Sequence, residues 1–260
     1  MQEREDRKYE TGAATHPGRV RAQNEDAYAV LPGTGVWAVS DGMGGHDSGE
    51  LASSTIITAL GSIESQSSAA NLLARCEEHV LEANRRLKQL SDENSGRIIG
   101  ATLALLLIHG TSYACVWAGD SRIYRVRNGK ILQISRDHSE VQGLIDQGVL
   151  TPEEGRTWPH RSVITRAIGV STDPGLEIER GVLADGDTFI ICSDGLTAHV
   201  SDSEIRDQVA SSRSQDACDD LVALSLQRGG TDNITVIVVR CHRKSPTLPR
   251  SGVTVIETWE

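Results

Sequence analysis

Positive charge, aromatic residues and long apolar runs are all scarce in this chain. Acidic residues outnumber basic ones by 36 to 26, which gives a formal net charge of -10 at pH 7. A nucleic-acid-binding surface requires an excess of Lys and Arg, so this balance argues against a nucleic-acid partner. The longest apolar run, ATLALLLI at 101–108, is far too short to span a bilayer. With a single Phe, the sequence predicts a soluble protein with an aliphatic core.

Paired cysteines and several familiar catalytic motifs are also missing. The five cysteines are scattered singly, mostly inside apolar segments, which predicts buried thiols in a reducing compartment. The charged segment 1–10 does not resemble a signal peptide, so we expect a cytoplasmic protein. The loop of thiol phosphatases, the GxSxG turn and the Walker loop are absent. DGDTF at 185–189 imitates an aspartyl nucleophile box, but it precedes its strand and is interpreted as a turn.

Hydrophobic periodicity predicts mostly short strands, with helices in two blocks. Helical spacing covers 50–63 and 71–90, and Ser201 with Glu204 forms a capping box that opens a later helix. One more helix is marked by Ala217, Leu221 and Leu224. Strands are predicted at 9–15, 26–31, 36–40, 101–108, 112–118, 122–126, 131–134, 189–192 and 233–239. Because strands are grouped with strands and helices with helices, we expect an α+β fold with antiparallel sheets packed face to face and helices outside.

Two segments depart from this pattern. Residues 136–180 are mainly polar and irregular, with two short helices, the second opening at Thr151 and Pro152, and are interpreted as a flap. Residues 243–260 combine a basic, Pro-containing stretch with a strand-like end and are interpreted as a C-terminal appendage. The remaining residues, 1–242, are expected to form one domain.

Five aspartates mark the ends of predicted strands. Asp41, Asp120 and Asp194 follow strands, whereas Asp26 and Asp232 precede them. Antiparallel neighbours bring the end of one strand beside the start of the next, so all five could meet at one edge of the sandwich. Each Asp-Gly pair taken alone is more often a simple turn. Gathered carboxylates repel one another, and a divalent cation relieves that repulsion; ligands that are all oxygen favour magnesium or manganese over zinc.

Six motifs, in order, carry a resemblance to a known family. They are GRVRAQNED, VSDGMGGH, GATLALL, WAGDSRIY, CSDGL and GGTDNITVIVV. In this order and spacing, from about Tyr9 to Arg240, the chain resembles the bacterial metal-dependent Ser/Thr protein phosphatases of the PPM family, often called type 2C. The resemblance implies a four-layer α-β-β-α sandwich. It also implies a binuclear Mn²⁺ or Mg²⁺ centre, with a third ion beside it in many bacterial members, that activates water to hydrolyse phosphoserine and phosphothreonine on proteins.

The resemblance also implies roles for particular residues. Asp41 would bridge two ions, the Gly42 carbonyl would bind one, and Asp194 and Asp232 would bind the other. Asp26 would hold water at the centre, and Asp120 together with Asp194 would bind the third ion.

Substrate-facing roles are implied less directly. Arg21 would grip the substrate phosphate, with Arg19 as a competitor two residues away. His46 could act as general acid or merely order the glycine turn, because eukaryotic relatives carry their histidine where this chain has Met43. Thr165 and Arg166 in the flap are predicted substrate contacts.

Partners follow from the same resemblance. We expect phosphorylated proteins as substrates, a cognate bacterial Ser/Thr kinase as the opposing enzyme, and a monomer as the default state. The form of the chain looks like phosphatases encoded beside kinases of type VI secretion systems. An alternative is a catalytically silent, phosphoprotein-binding regulatory module of the same fold. Such a module would be expected to lack one of the aspartates or the arginine, and here all are present.

Overall fold

Eleven strands and seven helices make up the part of the chain described by this computed structural model, residues 7–44 and 47–243. The strands are β1 Arg7–His16, β2 Asp26–Leu31, β3 Val36–Met43, β4 Gly100–Ala101, β5 Leu103–His109, β6 Ser112–Ala118, β7 Arg122–Arg127, β8 Lys130–Gln133, β9 Glu177–Val182, β10 Thr188–Cys192 and β11 Ile234–Arg243. The helices are α1 Asp47–Gly61, α2 Ala69–Glu93, α3 Glu140–Asp146, α4 Pro152–Arg156, α5 Asp194–Thr197, α6 Asp202–Ser211 and α7 Ser214–Gln227.

The strands form two antiparallel sheets. One sheet has the order β1-β11-β10-β7-β8, and the other has the order β2-β3-β5-β6-β9, with β4 paired to β3. Every named pair in the described residues is antiparallel, and tight connections such as the turn between β7 and β8 join sequential neighbours. This pairing brings the starts and ends of alternate strands to the same edge.

Alternating side chains of the central strands divide the core into three layers. On β3, Val36 and Ala38 face helices α1 and α2, while Trp37 and Val39 face the opposite sheet. Strand β10 follows the same rule, since Phe189 lies between the sheets. A third cluster joins β10 and β11 to α6 and α7. Both faces of these strands are buried, which explains why they read as continuous apolar runs rather than alternating ones.

The predicted α+β sandwich is confirmed: helices α1 and α2 cover one sheet, α6 and α7 cover the other, and the two sheets pack between them. The predicted capping box at Ser201 is present, as is a second one at Thr151 that opens α4. Two elements were missed. Strand β9 is an edge strand with few apolar residues, and α5 is a single turn, so neither shows a periodic pattern.

Residues 243–260 carry the predicted appendage, which lies outside the described residues apart from the backbone end of β11. No helix in the described ranges has the length and apolar content needed to cross a membrane.

Leu106, fully buried between the sheets, offers a direct test of this core. Leu106→Ala should lower the free energy of unfolding by about 2–5 kcal/mol, because it removes buried methyl groups and leaves a cavity. Urea denaturation of the two proteins measures the difference. Leu132→Ala is the matched control, because that side chain on β8 is 53% exposed and should cost well under half as much. Equal losses for the two variants would contradict the assigned core.

Candidate metal centre

Two of the aspartates face each other on neighbouring strands. Asp26 is the first residue of β2 and Asp41 lies near the end of β3, and the antiparallel register makes them direct partners. Directly opposed residues project their side chains to the same face of a sheet, with Cβ atoms roughly 4.5–5.5 Å apart. Two carboxylates therefore meet at one edge of the six-stranded sheet.

The five-stranded sheet supplies two more acids at the same end of the sandwich. Asp194 follows β10 and opens α5, while Asp232 lies two residues before β11, the neighbour of β10. The two segments are in close contact, because a Cβ on Gly195 would lie 1.9 Å from the carbonyl oxygen of Asn233. The second Ser-Asp-Gly motif thus needs its glycine so that α5 can pass against the start of β11.

Hydroxyl groups of one sheet hold an aspartate of the other. The Oδ2 atom of Asp26 accepts hydrogen bonds from Ser193 Oγ at 2.8 Å and from Thr235 Oγ1 at 2.7 Å. Ser193 Oγ also accepts a bond from the Thr235 backbone N–H at 2.9 Å, which completes a small network. The other oxygen of Asp26, Oδ1, is buried and has no hydrogen-bond partner in residues 7–44 and 47–243. A buried carboxylate oxygen without a donor is suited to a cation or a bound water.

The backbone around Asp41 is fixed from the side of β5. Thr102 accepts a bond from the Asp41 N–H on its Oγ1 at 3.0 Å, and its own N–H donates to the Asp41 carbonyl at 2.8 Å. A Cβ on Gly42 would lie 2.1 Å from the Gly49 carbonyl oxygen, so this glycine allows α1 to approach β3. Its proposed role as a carbonyl ligand stays a prediction.

Asp120 occupies the turn between β6 and β7 and is 8% exposed. The turn begins at Gly119, whose φ of +110° lies in the left-handed region that favours glycine. Ser121 continues the turn, and its Oγ lies 2.7 Å from Thr102 Oγ1, so Asp120 and Asp41 are fixed through a common neighbour.

Electrostatics show that these carboxylates act on one another. Burial raises the pKa of Asp26 to about 7 and that of Asp194 to about 6, and in each case a neighbouring aspartate adds to the shift. Burial also raises the pKa of Asp41 well above its usual range, with further contributions from Asp26, Asp194, Asp120 and Asp232. The pKa of Asp120 is raised well above its usual range by burial and then by Asp194. One edge of the sandwich therefore carries a concentrated and mutually repelling set of acids.

The donor set fits a hard divalent cation. All five side chains offer oxygen, the ligand type of magnesium and manganese. In residues 7–44 and 47–243, no three Asp, Glu, His or Cys side chains are already closed around a single point. The acids therefore lie at one edge of the sandwich and raise one another's pKa values, but they are not yet arranged as a closed set of metal ligands.

Arg21 brings a positive charge into direct contact with one of these acids. Its Nη2 atom donates to Asp232 Oδ2 at 2.7 Å, and its side chain is 55% exposed. The hydrogen bond and charge of Asp232 raise the pKa of Arg21 above its usual value. Arg19 is exposed and its backbone N–H donates to the Gly230 carbonyl at 2.7 Å, with no ion pair among the described residues. Of the two arginines, Arg21 is the one that contacts the acids.

Asn233 anchors the loop that carries Arg21. Its Nδ2 donates to the carbonyls of Pro17 and Gln23, each at 2.9 Å, and its Oδ1 accepts from the Glu25 N–H at 2.8 Å. One buried amide thus fastens both ends of the β1–β2 connection beside Asp232.

The two predicted site residues of the flap, Thr165 and Arg166, hydrogen-bond to residues other than these acids. Arg166 pairs with Glu177 at 2.8 Å within the flap region, and the Thr165 N–H donates to the His138 carbonyl at 2.7 Å. Both predicted flap contacts face solvent and stay predictions. His46 lies outside the described residues.

Several residues that hold the acids and the Arg21 loop in place were not predicted from the sequence. They are the buried hydroxyl and amide groups of Thr102, Ser193, Asn233 and Thr235. The available signal was a polar residue inside or beside an otherwise apolar strand, such as the threonine in NITVIVV. A fully buried hydroxyl needs a partner, and here the partner is a site carboxylate or its backbone.

The raised pKa values predict an unusual pH dependence for chelator-treated protein. An unfolded Asp has a pKa near 3.9, whereas Asp194 and Asp26 have values of about 6 and about 7 in the folded chain. Between roughly pH 4 and 7 the folded state therefore binds more protons, and this contribution to stability is lost as pH rises. Urea denaturation at a series of pH values should show the metal-free protein losing stability across this window relative to Asp194→Asn.

The comparison with Asp194→Asn isolates the acids from His138, whose lowered pKa changes stability with pH in the opposite direction. Added Mn²⁺ should stabilise the wild type more at pH 7.5 than at pH 5, because a cation binds the ionised carboxylates. Parallel pH profiles for wild type and variant would contradict the clustering of charge.

Comparisons with known proteins identify the family of the chain. The family model described as protein phosphatase 2C matches residues 17–233. The serine/threonine protein phosphatase PstP of Mycobacterium tuberculosis is 38% identical over 228 residues, covering 87% of this chain and 44% of that protein. The protein phosphatase PhpP of Streptococcus pneumoniae is 35% identical over 242 residues, covering 90% of this chain and 98% of that protein. The chain thus spans less than half of PstP and nearly all of PhpP.

Solved structures give the same assignment. PppA, described as a key regulatory component of T6SS in Pseudomonas aeruginosa, superposes with a TM-score of 0.84 at 39% identity, covering 90% of this chain and 97% of that one. The catalytic domain of PstP in complex with two manganese ions superposes with a TM-score of 0.83 at 32% identity, covering 91% and 100%. The family match over most of the length, together with these relatives, shows that the chain belongs to the protein phosphatase 2C family.

Proposed function

We propose that this chain is a metal-dependent protein phosphatase that hydrolyses phosphoserine and phosphothreonine esters on proteins. The observation that carries the proposal is the gathering of Asp26, Asp41, Asp120, Asp194 and Asp232 at one edge of the sandwich, with interacting charges. Membership of the protein phosphatase 2C family supports the reaction class. The two manganese ions described for the PstP catalytic domain support Mn²⁺ or Mg²⁺ as the cofactor.

The proposed ligands follow the sequence pattern. Asp41, the Gly42 carbonyl, Asp194 and Asp232 would hold two ions, and Asp120 with Asp194 would hold a third. Bound divalent ions supply Lewis-acid charge and a water activated for attack on the phosphoester. In their absence the same carboxylates would repel a phosphate dianion, so the cations are also needed for substrate to approach.

The residues of the chain itself supply orientation and recognition. Ser193 and Thr235 occupy Asp26 Oδ2, which leaves its buried Oδ1 to accept a proton or a water hydrogen. Arg21 presents a planar guanidinium that matches phosphate oxygens. Since it now pairs with Asp232, substrate phosphate would have to replace that carboxylate as its partner.

Two further roles remain proposals from the sequence. His46 is the proposed general acid for the leaving serine or threonine oxygen, because an imidazole titrates near neutral pH. The flap, residues 136–180 within a phosphatase domain at 1–242, is proposed to influence which phosphoprotein docks, through contacts such as those of Thr165 and Arg166.

Cellular context is proposed on similarity alone. The substrates would be phosphoproteins modified by a cognate bacterial Ser/Thr kinase, in the cytoplasm, with the phosphatase acting as a monomer. The similarity to PppA, described as a regulatory component of a type VI secretion system, supports a role in that kind of system.

Metal dependence and the role of Asp194 can be tested together. Metal-stripped protein should release no phosphate from a phosphothreonine peptide, and added Mn²⁺ should restore release in the wild type. Asp194→Asn should lower turnover by at least about 100-fold, since it removes a proposed ligand and a charge. Phosphate release is measured colorimetrically across a Mn²⁺ titration.

Asp207→Asn is the matched control, because that carboxylate lies on α6 with a 67% exposed side chain and should retain wild-type turnover. Folded wild-type protein that released no phosphate with any divalent metal would contradict the enzyme proposal. That result would favour the silent phosphoprotein-binding module instead.

Phosphate recognition by Arg21 gives a separate prediction. Arg21→Ala should lower kcat/KM for the phosphopeptide by roughly 10- to 100-fold, because a charged hydrogen-bond partner is lost. Arg19→Ala, two residues away and without an ion pair among the described residues, should change it by less than roughly threefold. Steady-state kinetics of both variants show which arginine binds the substrate phosphate. A larger loss of kcat/KM for Arg19→Ala would assign that role to Arg19.

A further inference from the structure

The base of the flap contacts the turn that carries Asp120, and His138 hydrogen-bonds to that turn through both its backbone and its ring. The backbone N–H of His138 donates to the Gly119 carbonyl at 2.9 Å, and the Gly119 N–H donates back to His138 Nδ1 at 3.2 Å. The imidazole is 6% exposed and stacks on Trp117, the penultimate residue of β6, with ring centroids 6.3 Å apart. His138 is therefore fixed against the residue that precedes Asp120.

The opposite edge of the same ring faces the flap. His138 Nε2 lies 3.2 Å from Glu177 Oε1 and 3.3 Å from Arg166 Nη1, and that guanidinium nitrogen itself donates to Glu177 Oε1 at 2.8 Å. The His138 carbonyl accepts the Thr165 N–H at 2.7 Å. One residue thus connects the returning strand of the flap with the turn at Asp120.

The hydrogen bonds specify the protonation state of the ring. Because Nδ1 accepts from Gly119, the neutral ring carries its proton on Nε2 and donates it to Glu177. Burial, and then the charge of Arg166, holds the pKa of His138 below its usual value, in agreement with a neutral ring. Nδ1 therefore accepts a hydrogen bond from the turn, and Nε2 donates one to Glu177 in the flap.

The turn that carries Asp120 also packs against Thr102, the residue that hydrogen-bonds to the backbone of Asp41. A Cβ on Gly119 would lie 2.6 Å from Thr102 Cγ2, so the two residues are in close contact. Thr102 Oγ1 accepts the Asp41 N–H and lies 2.7 Å from Ser121 Oγ. A shift of this turn would consequently displace two carboxylates, those of Asp120 and Asp41.

We propose that His138 is a positioning residue that couples the order of the flap to cation binding at the Asp120 side of the acid cluster. Its Nδ1 holds the turn, its Nε2 holds the flap, and the rigid ring transmits a change on one side to the other. The proposal rests on the proposed function only for its cation, because the coupling itself is measured without phosphatase activity.

Two conservative variants separate the two edges of the ring. His138→Asn places an amide oxygen near the position of Nδ1 and cannot reach Glu177. His138→Gln can reach Glu177 and does not accept from the Gly119 N–H in the same way. His109→Asn is the matched control, because that half-buried histidine at the end of β5 has its ring nitrogen 3.2 Å from the Gln66 carbonyl, in a different part of the chain from the flap and the acids.

Hydrogen exchange of backbone amides measures the coupling in the full chain, with chelator and with Mn²⁺. In the wild type, Mn²⁺ should slow exchange of the amides of residues 139–168 by roughly 3- to 30-fold, the range expected for one or two added hydrogen bonds. Both His138 variants should lose this Mn²⁺-dependent protection, and Asp120→Asn should lose it as well. His109→Asn should keep it.

Protection that persists in both His138 variants would overturn the proposal, as would a wild-type flap that does not respond to Mn²⁺. Faster exchange across the core strand β5 as well as the flap would show a merely structural role and would also overturn it. A wild type that shows the protection but hydrolyses no phosphopeptide would overturn the proposed function and leave the coupling intact.

Discussion

Repulsion among carboxylates at one end of the sandwich determines how the residues around them are arranged. Antiparallel pairing places Asp26 opposite Asp41, and the neighbouring strands β10 and β11 bring Asp194 and Asp232 to the same end. The raised pKa values express the cost of this arrangement, since burial and mutual charge both disfavour ionisation. Such a cluster lowers the free energy of unfolding near neutral pH, and a bound divalent cation would raise it again.

The surrounding structure is built to hold that repulsive set in place. Ser193 and Thr235 reach from one sheet to an aspartate of the other, so the hydroxyls join the two sheets at the edge where charge would separate them. Thr102 fixes the backbone of Asp41, and Asn233 fastens the loop of Arg21. These groups are buried and hydrogen-bonded, which makes the site rigid before any ligand binds.

Much of this arrangement could be predicted from the sequence, because it is encoded locally. An aspartate at the end of an apolar run indicates the end of a strand. Antiparallel pairing of such strands then predicts that the five acids lie at one edge. The supporting contacts could not be predicted in the same way. Ser193 and Thr235 are 167 and 209 residues from Asp26, and no local pattern records such partners. The pairing of Arg21 with Asp232 and the edge strand β9 were missed for the same reason, since tertiary contacts define them.

If these acids form a cation site, the bound cation can be located in a crystal. Anomalous diffraction from crystals grown with Mn²⁺ identifies each ion and the residues beside it, independently of any assay. We expect manganese at the edge formed by Asp41, Asp194 and Asp232, with the Arg21–Asp232 ion pair opened. Manganese bound elsewhere, or none at this edge with the ion pair intact at saturating Mn²⁺, would contradict it.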